Sequence, residues 1–141
     1  MGGEARPADT AGMDNAHTNR TDVFLVEDSK DIRTRLAAML VAIAGVAIVG
    51  EADTPAAAIE GILRTLPHSV VLDIQLLGGT GIEVLRKIHP IKPDIVFIVI
   101  TNHPNPQYRK IYAEAGANYF LDKTTEFQKV KEVVAGLGRA H

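Results

Sequence analysis

Short apolar runs alternate with stretches of helical periodicity all along this chain, and that alternation limits the fold more than any other feature. Strands are predicted over Asp22–Val26, Val46–Val49, Val70–Leu72, Ile95–Ile100 and Asn118–Leu121. Between them the period changes. Ser29 can cap a helix carrying Ile32, Leu36, Met39, Leu40 and Ile43 on one side, stopped by Gly45. Thr54 is the N-cap and Pro55 the first residue of a second helix, with Ile59, Ile62, Leu63 and Leu66 as its apolar face and Pro67 beyond it. A third helix is predicted over Thr80–Ile88, with Ile82, Leu85 and Ile88 inward and Pro90 and Pro93 in the turn out. A fourth runs over Gln107–Ala115 and stops at Gly116. A fifth covers Thr124–Leu137, with Phe127, Val130, Val133, Val134 and Leu137 inward. Strands joined through helices form βαβ units, hence an α/β fold with a mostly parallel sheet. Ile95–Ile100 is apolar at every position, as a central strand covered on both faces must be. The pattern leaves the strand order open.

Polar groups cluster at the strand ends. The first strand runs into Glu27 and Asp28, the third into Asp73, the fourth into Thr101, and Lys123 follows the fifth. A parallel sheet delivers all of these to one edge, where ligands of open α/β sheets bind. Three carboxylates brought together repel one another unless a divalent cation lies between them. Mg²⁺ is hard and oxygen-seeking and suits carboxylates, waters and a phosphoryl oxygen. A hydroxyl and an ammonium opposite the metal can hold the remaining oxygens of a phosphoryl group. The segment after the first strand is EDSKD, which is no glycine-rich phosphate loop. The inventory therefore suits one phosphoryl group on a carboxylate better than a whole nucleotide.

The rest of the chain excludes more than it adds. Its 141 residues, 46% of them hydrophobic, suit one domain with one core. The net charge of −2 gives no reason to expect nucleic-acid binding by this segment. There is no cysteine, so thiolate chemistry is out. Residues 1–20 are rich in Gly, Ala, Asp, Asn and Thr and read as a flexible N-terminal tail, ahead of a domain over 21–141. No apolar stretch is long enough for a signal or a membrane span, so a cytoplasmic protein is expected.

In order and spacing, Glu27-Asp28, Asp73, Gly81, Thr101 and the stretch GANYFLDK (116–123) resemble the receiver domain of two-component response regulators, over about Thr21 to Leu137. The resemblance implies a doubly wound, flavodoxin-like, five-stranded parallel sheet of order 2-1-3-4-5. It makes Asp73 the phosphoacceptor, with a histidine kinase or histidine phosphotransfer protein as donor. Asp28, Asp73 and the backbone carbonyl of Gln75 would ligate Mg²⁺, and Glu27 would act mainly through metal-bound water. Lys123 would pair with Asp73 or the new phosphate. Thr101 would turn toward the phosphoryl oxygen, and Phe120 would swing inward with it. A downstream protein, or an output domain of a longer parent, would read the surface, and a phosphorylation-dependent dimer is a further expectation. The domain would catalyse only its own phosphorylation and dephosphorylation.

Some positions depart from the family pattern. Asn102 stands where a small residue is usual, and His103 and Pro104 follow it in NHPNPQ, whose two prolines should stiffen the loop or shorten the helix. Asn102 and His103 are accordingly candidate modulators of phosphate chemistry. Thr124 replaces the usual proline after Lys123. A cis bond there would cost ~2.5–4 kcal/mol, so the expectation is trans, or a strained cis bond held by the site. In IQLLGGTG, Gly78-Gly79 should loosen the loop after Asp73.

Blander roles go to other polar residues. Asp53 is assigned to a loop or cap, and Lys30, Arg33 and Arg35 to a solvated helix face. His17, His68, His89 and His141 lack metal-ligand spacing. Two other readings stay open on sequence alone. One is a degenerate receiver that binds a partner without being phosphorylated. The other is a small Mg²⁺ hydrolase, which would need a substrate pocket and a second acid–base group.

Overall fold

A computed structural model describes residues 20–140 of the chain. The main sheet contains β1 (Thr21–Val26), β2 (Val46–Ala52), β3 (Ser69–Asp73), β6 (Val96–Thr101) and β7 (Tyr119–Asp122). Between β3 and β6 lies a two-stranded antiparallel hairpin of β4 (Gln75–Leu76) and β5 (Gly79–Thr80). The helices are α1 (Lys30–Val41), α2 (Pro55–Thr65), α3 (Gly81–Ile88), α4 (Pro106–Ala115) and α5 (Phe127–Ala140). The sheet is parallel throughout, in the order β2-β1-β3-β6-β7. With the hairpin set aside, this is the 2-1-3-4-5 order expected. The tail expectation falls on residues outside those described, apart from Arg20.

The period-two rule of a strand splits the core in two. Phe24, Val26, Val70, Leu72, Phe97 and Val99 face α2, α3 and α4, where they meet Ala58, Ile62, Leu85, Ile88 and Tyr112. Val23, Leu25, Val71, Ile98 and Ile100 face the other way, onto Leu36 and Leu40 of α1 and Val130 and Val134 of α5. Central strands so covered must be apolar at every position, which is why the run 95–100 carries no polar residue.

Helix starts follow the expected caps. Ser29 accepts from the Ile32 N–H and Thr54 from the Ala57 N–H. Asn105 accepts from the Tyr108 N–H, so NHPNPQ supplies a cap and places Pro106 at the first turn, where its missing N–H costs nothing.

The structure corrects several local expectations. Leu63 and Leu66 are not apolar-face residues: they are exposed, and Leu66 ends α2 in the left-handed region at φ 47°. β2 runs on to Ala52 because the pairing with β1 continues through a register shift between Val23 and Phe24. α5 starts at Phe127 rather than Thr124, since the Asp122 side chain accepts from the N–H groups of Thr124 and Thr125 and makes a turn there. The Gly78-Gly79 pair does not loosen its loop. Gly78 takes φ 74°, which a side chain rarely adopts, and this closes the β4–β5 hairpin. No peptide bond among the described residues is cis, so Lys123–Thr124 is trans.

Candidate functional site

Because β1, β3, β6 and β7 run parallel, their carboxyl ends share one edge. Asp73 is the last residue of β3 and Thr101 the last of β6, while Glu27-Asp28 and Lys123 lie just past β1 and β7. Thr101 and Lys123 are joined through the backbone, the Lys123 N–H donating to the Thr101 carbonyl at 2.8 Å. Gly81, at the start of α3, lies against the back of Asp73. A Cβ there would run into the Asp73 carbonyl and Leu72, so only glycine lets α3 pack this close.

Glu27 is fully buried and Asp73 is 4% exposed. One ligand oxygen from each of Glu27, Asp28 and Asp73 lies within 4.8 Å of the others. Among the described residues, one ammonium answers two of them. Lys123 Nζ stands 2.9 Å from Glu27 Oε1 and 3.1 Å from Asp73 Oδ2. The other Glu27 oxygen accepts from the Ser29 N–H at 2.9 Å, so protein groups engage both oxygens of Glu27. Burial, and next the charge of Glu27, push the Asp73 carboxyl up to about 7, against the opposing pull of Lys123. Burial alone would lower Lys123, but its hydrogen bond to Glu27 and the two carboxylate charges outweigh that and raise it.

Three clustered carboxylates against one lysine leave negative charge uncompensated, and their donors are all hard oxygens. Such a set fits a divalent cation of the Mg²⁺ kind and gives a soft metal no ligand. Asp53 does not join this cluster; its carbonyl accepts from the Leu77 N–H, in the loop role expected.

A cleft of about 560 Å³ opens above the carboxylates, walled by Asp28, Asp73, Gln75, Thr101 and Lys123, with Asn102 and His103 exposed on its lip. Thr101 is buried, and its hydroxyl accepts from the His103 N–H at 2.9 Å. Phe120 lies away from the cleft, already buried. Arg109 stacks over its ring at 4.9 Å and donates to its carbonyl at 3.2 Å, and Tyr112 packs beside it at 6.0 Å between ring centroids.

Two supporting residues escaped the sequence reading. Arg33 is not on a solvated face. Its guanidinium turns back to the Glu27 carbonyl at 2.6 Å and to Glu51 at 3.0 Å. The available signal was its place in the first turn after the Ser29 cap, which overlooks the acidic loop. Tyr112 is buried, and its ring packs against Phe120 of β7. Of the remaining histidines, His68 accepts from the Asp22 N–H and His89 caps α3; His17 and His141 lie outside the described residues.

The family model for the response regulator receiver domain matches residues 23–135. The response regulator GacA of Pseudomonas aeruginosa is 29% identical over 118 residues, 81% of this chain and 55% of GacA. The DNA-binding transcriptional activator DevR/DosR of Mycobacterium tuberculosis is 29% identical over 116 residues, 82% of this chain and 54% of the activator. The chain thus spans about half the length of these two relatives. Among solved structures, a two-component response regulator of the LuxR family from Aurantimonas sp. SI85-9A1 superposes with a TM-score of 0.74 at 26% identity, over 83% of this chain and 86% of that one.

Proposed function

The chain belongs to the response regulator receiver domain family, and we propose that it accepts a phosphoryl group on Asp73 and reports that event through Thr101. The observation that carries this reading is the buried Asp73 carboxylate, held against Lys123 at the mouth of an open cleft. The donor is a phosphorylated histidine, on a kinase or a phosphotransfer protein. An Asp73 oxygen attacks the phosphorus in line, the P–N bond to the donor imidazole breaks, and the imidazole leaves with a proton. The product is an acyl phosphate.

Mg²⁺, held by Asp28, Asp73 and the Gln75 carbonyl, would supply charge neutralisation on the phosphoryl oxygens. Lys123 keeps Asp73 in place before transfer and can follow the new charge afterwards, because it already bridges Asp73 and Glu27. Glu27 anchors Lys123 and adds negative charge to the cation site. Asn102 and His103, on the lip, govern how readily water and small phosphodonors reach Asp73.

The phosphorylated side chain carries roughly −1.5 to −2 charge and three acceptor oxygens. Thr101 still has its hydroxyl proton to donate to one of them, and turning its side chain toward the phosphate breaks the bond it accepts from the His103 N–H. That releases the segment leading to the Asn105 cap, and with it α4. Phe120 and Arg109 tie α4 to β7, so the surface formed by these elements changes with the phosphate. A downstream protein, or an output domain of a longer parent, reads that surface, alone or through a phosphorylation-dependent dimer. A cytoplasmic location belongs to the same reading; among the described residues no helix is long and apolar enough to cross a membrane. The proximity of the three carboxylates and Lys123 supports this reading over an unphosphorylated binding module, for which Asn102 and the NHPNPQ loop are the departures that speak.

The acyl linkage is testable by its chemistry. Neutral hydroxylamine should strip the phosphate from the phosphorylated protein and leave a hydroxamate at residue 73, seen by peptide mass. A phosphate that resists hydroxylamine would lie on a hydroxyl group and would contradict the assignment.

A further inference from the structure

The peptide unit joining Glu27 to Asp28 is gripped from the side away from the cleft. Its carbonyl accepts from Arg33 Nη1 at 2.6 Å. The Glu27 N–H, one peptide earlier, donates to the Ala52 carbonyl at 3.0 Å. Arg33 is itself anchored, its Nε donating to Glu51 Oε1 at 3.0 Å, with its side chain only 19% exposed. A peptide plane is rigid, so fixing the Glu27 carbonyl also fixes the direction in which Asp28 leaves the strand.

We propose that Arg33 is a positioning residue for the divalent cation: it sets the β1–α1 turn so that the Asp28 carboxylate meets that of Asp73, and Glu51 holds Arg33 in that pose. This rests on the reading that these carboxylates take Mg²⁺. The geometry makes an unusual demand on sign. Arg33 is a cation near three carboxylates, so through charge alone it weakens Mg²⁺ binding, and its removal would tighten it. Through position it strengthens binding, and its removal weakens it. Loss of the groups that orient metal ligands typically costs about 10–100-fold in affinity, and an effect relayed through the backbone belongs at the lower end, about tenfold.

The test is a calorimetric titration of the metal-free full chain with Mg²⁺, for wild type, Arg33→Met, Arg33→Lys and Glu51→Gln, each checked by circular dichroism at the titration temperature. Arg33→Met should bind Mg²⁺ about tenfold more weakly. Arg33→Lys keeps the charge but has no fork to span both partners, and should fall between Met and wild type. Arg33→Lys, because it keeps the charge and so isolates position, carries the test if Arg33→Met does not fold; Glu51→Gln should weaken binding as well, through the lost negative charge together with the lost anchor for Arg33. Binding by Arg33→Met, or in that event by Arg33→Lys, at or above wild-type affinity would overturn the positioning role. A wild-type protein that binds no Mg²⁺ would overturn the cation site first, and this inference with it.

Discussion

At the ends of β1 and β3, Glu27 and Asp73 are buried and bridged by Lys123, and Ser29 and Arg33 hold the turn that carries the carboxylates. At the end of β6, Thr101 is also buried, yet every residue from Asn102 to Ile111 is exposed. One side-chain hydrogen bond, from the His103 N–H to the Thr101 hydroxyl, holds the start of that segment. The two regions share one sheet edge but differ in how firmly they are set. The first is preorganised for a charge that has yet to arrive. The second is held by something a phosphoryl oxygen can displace, which is what a switch requires.

The largest expected effect comes from breaking the firm half. Lys123→Met leaves two buried carboxylates without their ammonium, and removal of one partner from a buried ion pair costs about 3–5 kcal/mol. Denaturant unfolding in EDTA should show that loss, and Mg²⁺ should restore part of it. A loss under about 1 kcal/mol would mean the pair behaves as an exposed one.

Next comes pH. Folding raises Asp73 from the ordinary 3.8 to about 7, so the folded state binds this proton more tightly than the unfolded chain. The resulting stabilisation is complete below the unfolded value and fades as pH climbs through the folded one. In EDTA, the wild type should therefore lose stability relative to Asp73→Asn between pH 4 and about 7 and run parallel to it above. Parallel curves across the whole window would show that Asp73 is not held in the neutral form.

The loose half should respond more gently. Thr101→Val keeps the shape and removes the acceptor for the His103 N–H, at a cost of about 1 kcal/mol. Amide exchange should speed up at His103 while Mg²⁺ affinity stays as in the wild type. A fall in Mg²⁺ affinity would join the two regions into one. The smallest effect expected is that of Arg109→Met, which removes a stacked cation worth about 0.5–1 kcal/mol at an accessible site and leaves Tyr112 to hold Phe120 against α4. Unfolding should register the small loss, and hydrogen exchange should localise it to α4 and β7.

The sequence was most legible where physics repeats. Alternating apolar runs and caps such as Ser29 and Thr54 sufficed for the elements, and strand ends brought Glu27, Asp28, Asp73, Thr101 and Lys123 to one edge. The strand order came from the family resemblance, because periodicity says nothing about neighbours. What stayed hidden depended on tertiary direction. Arg33 looked like a solvated helix residue because nothing local shows a guanidinium turning back over the preceding loop. Leu63 fits the helical period yet lies on the exposed side of α2, and Leu66 comes where the helix has already ended. The β4–β5 hairpin was missed because Gly-Gly signals flexibility as readily as a tight turn.

The central claim is that Asp73 takes the phosphoryl group, and intact mass after incubation with acetyl phosphate tests it most directly, with and without Mg²⁺, against Asp73→Ala. The account predicts a gain of one phosphoryl group, about 80 Da, in wild type with Mg²⁺ and in no other sample. A gain that survives Asp73→Ala would contradict it.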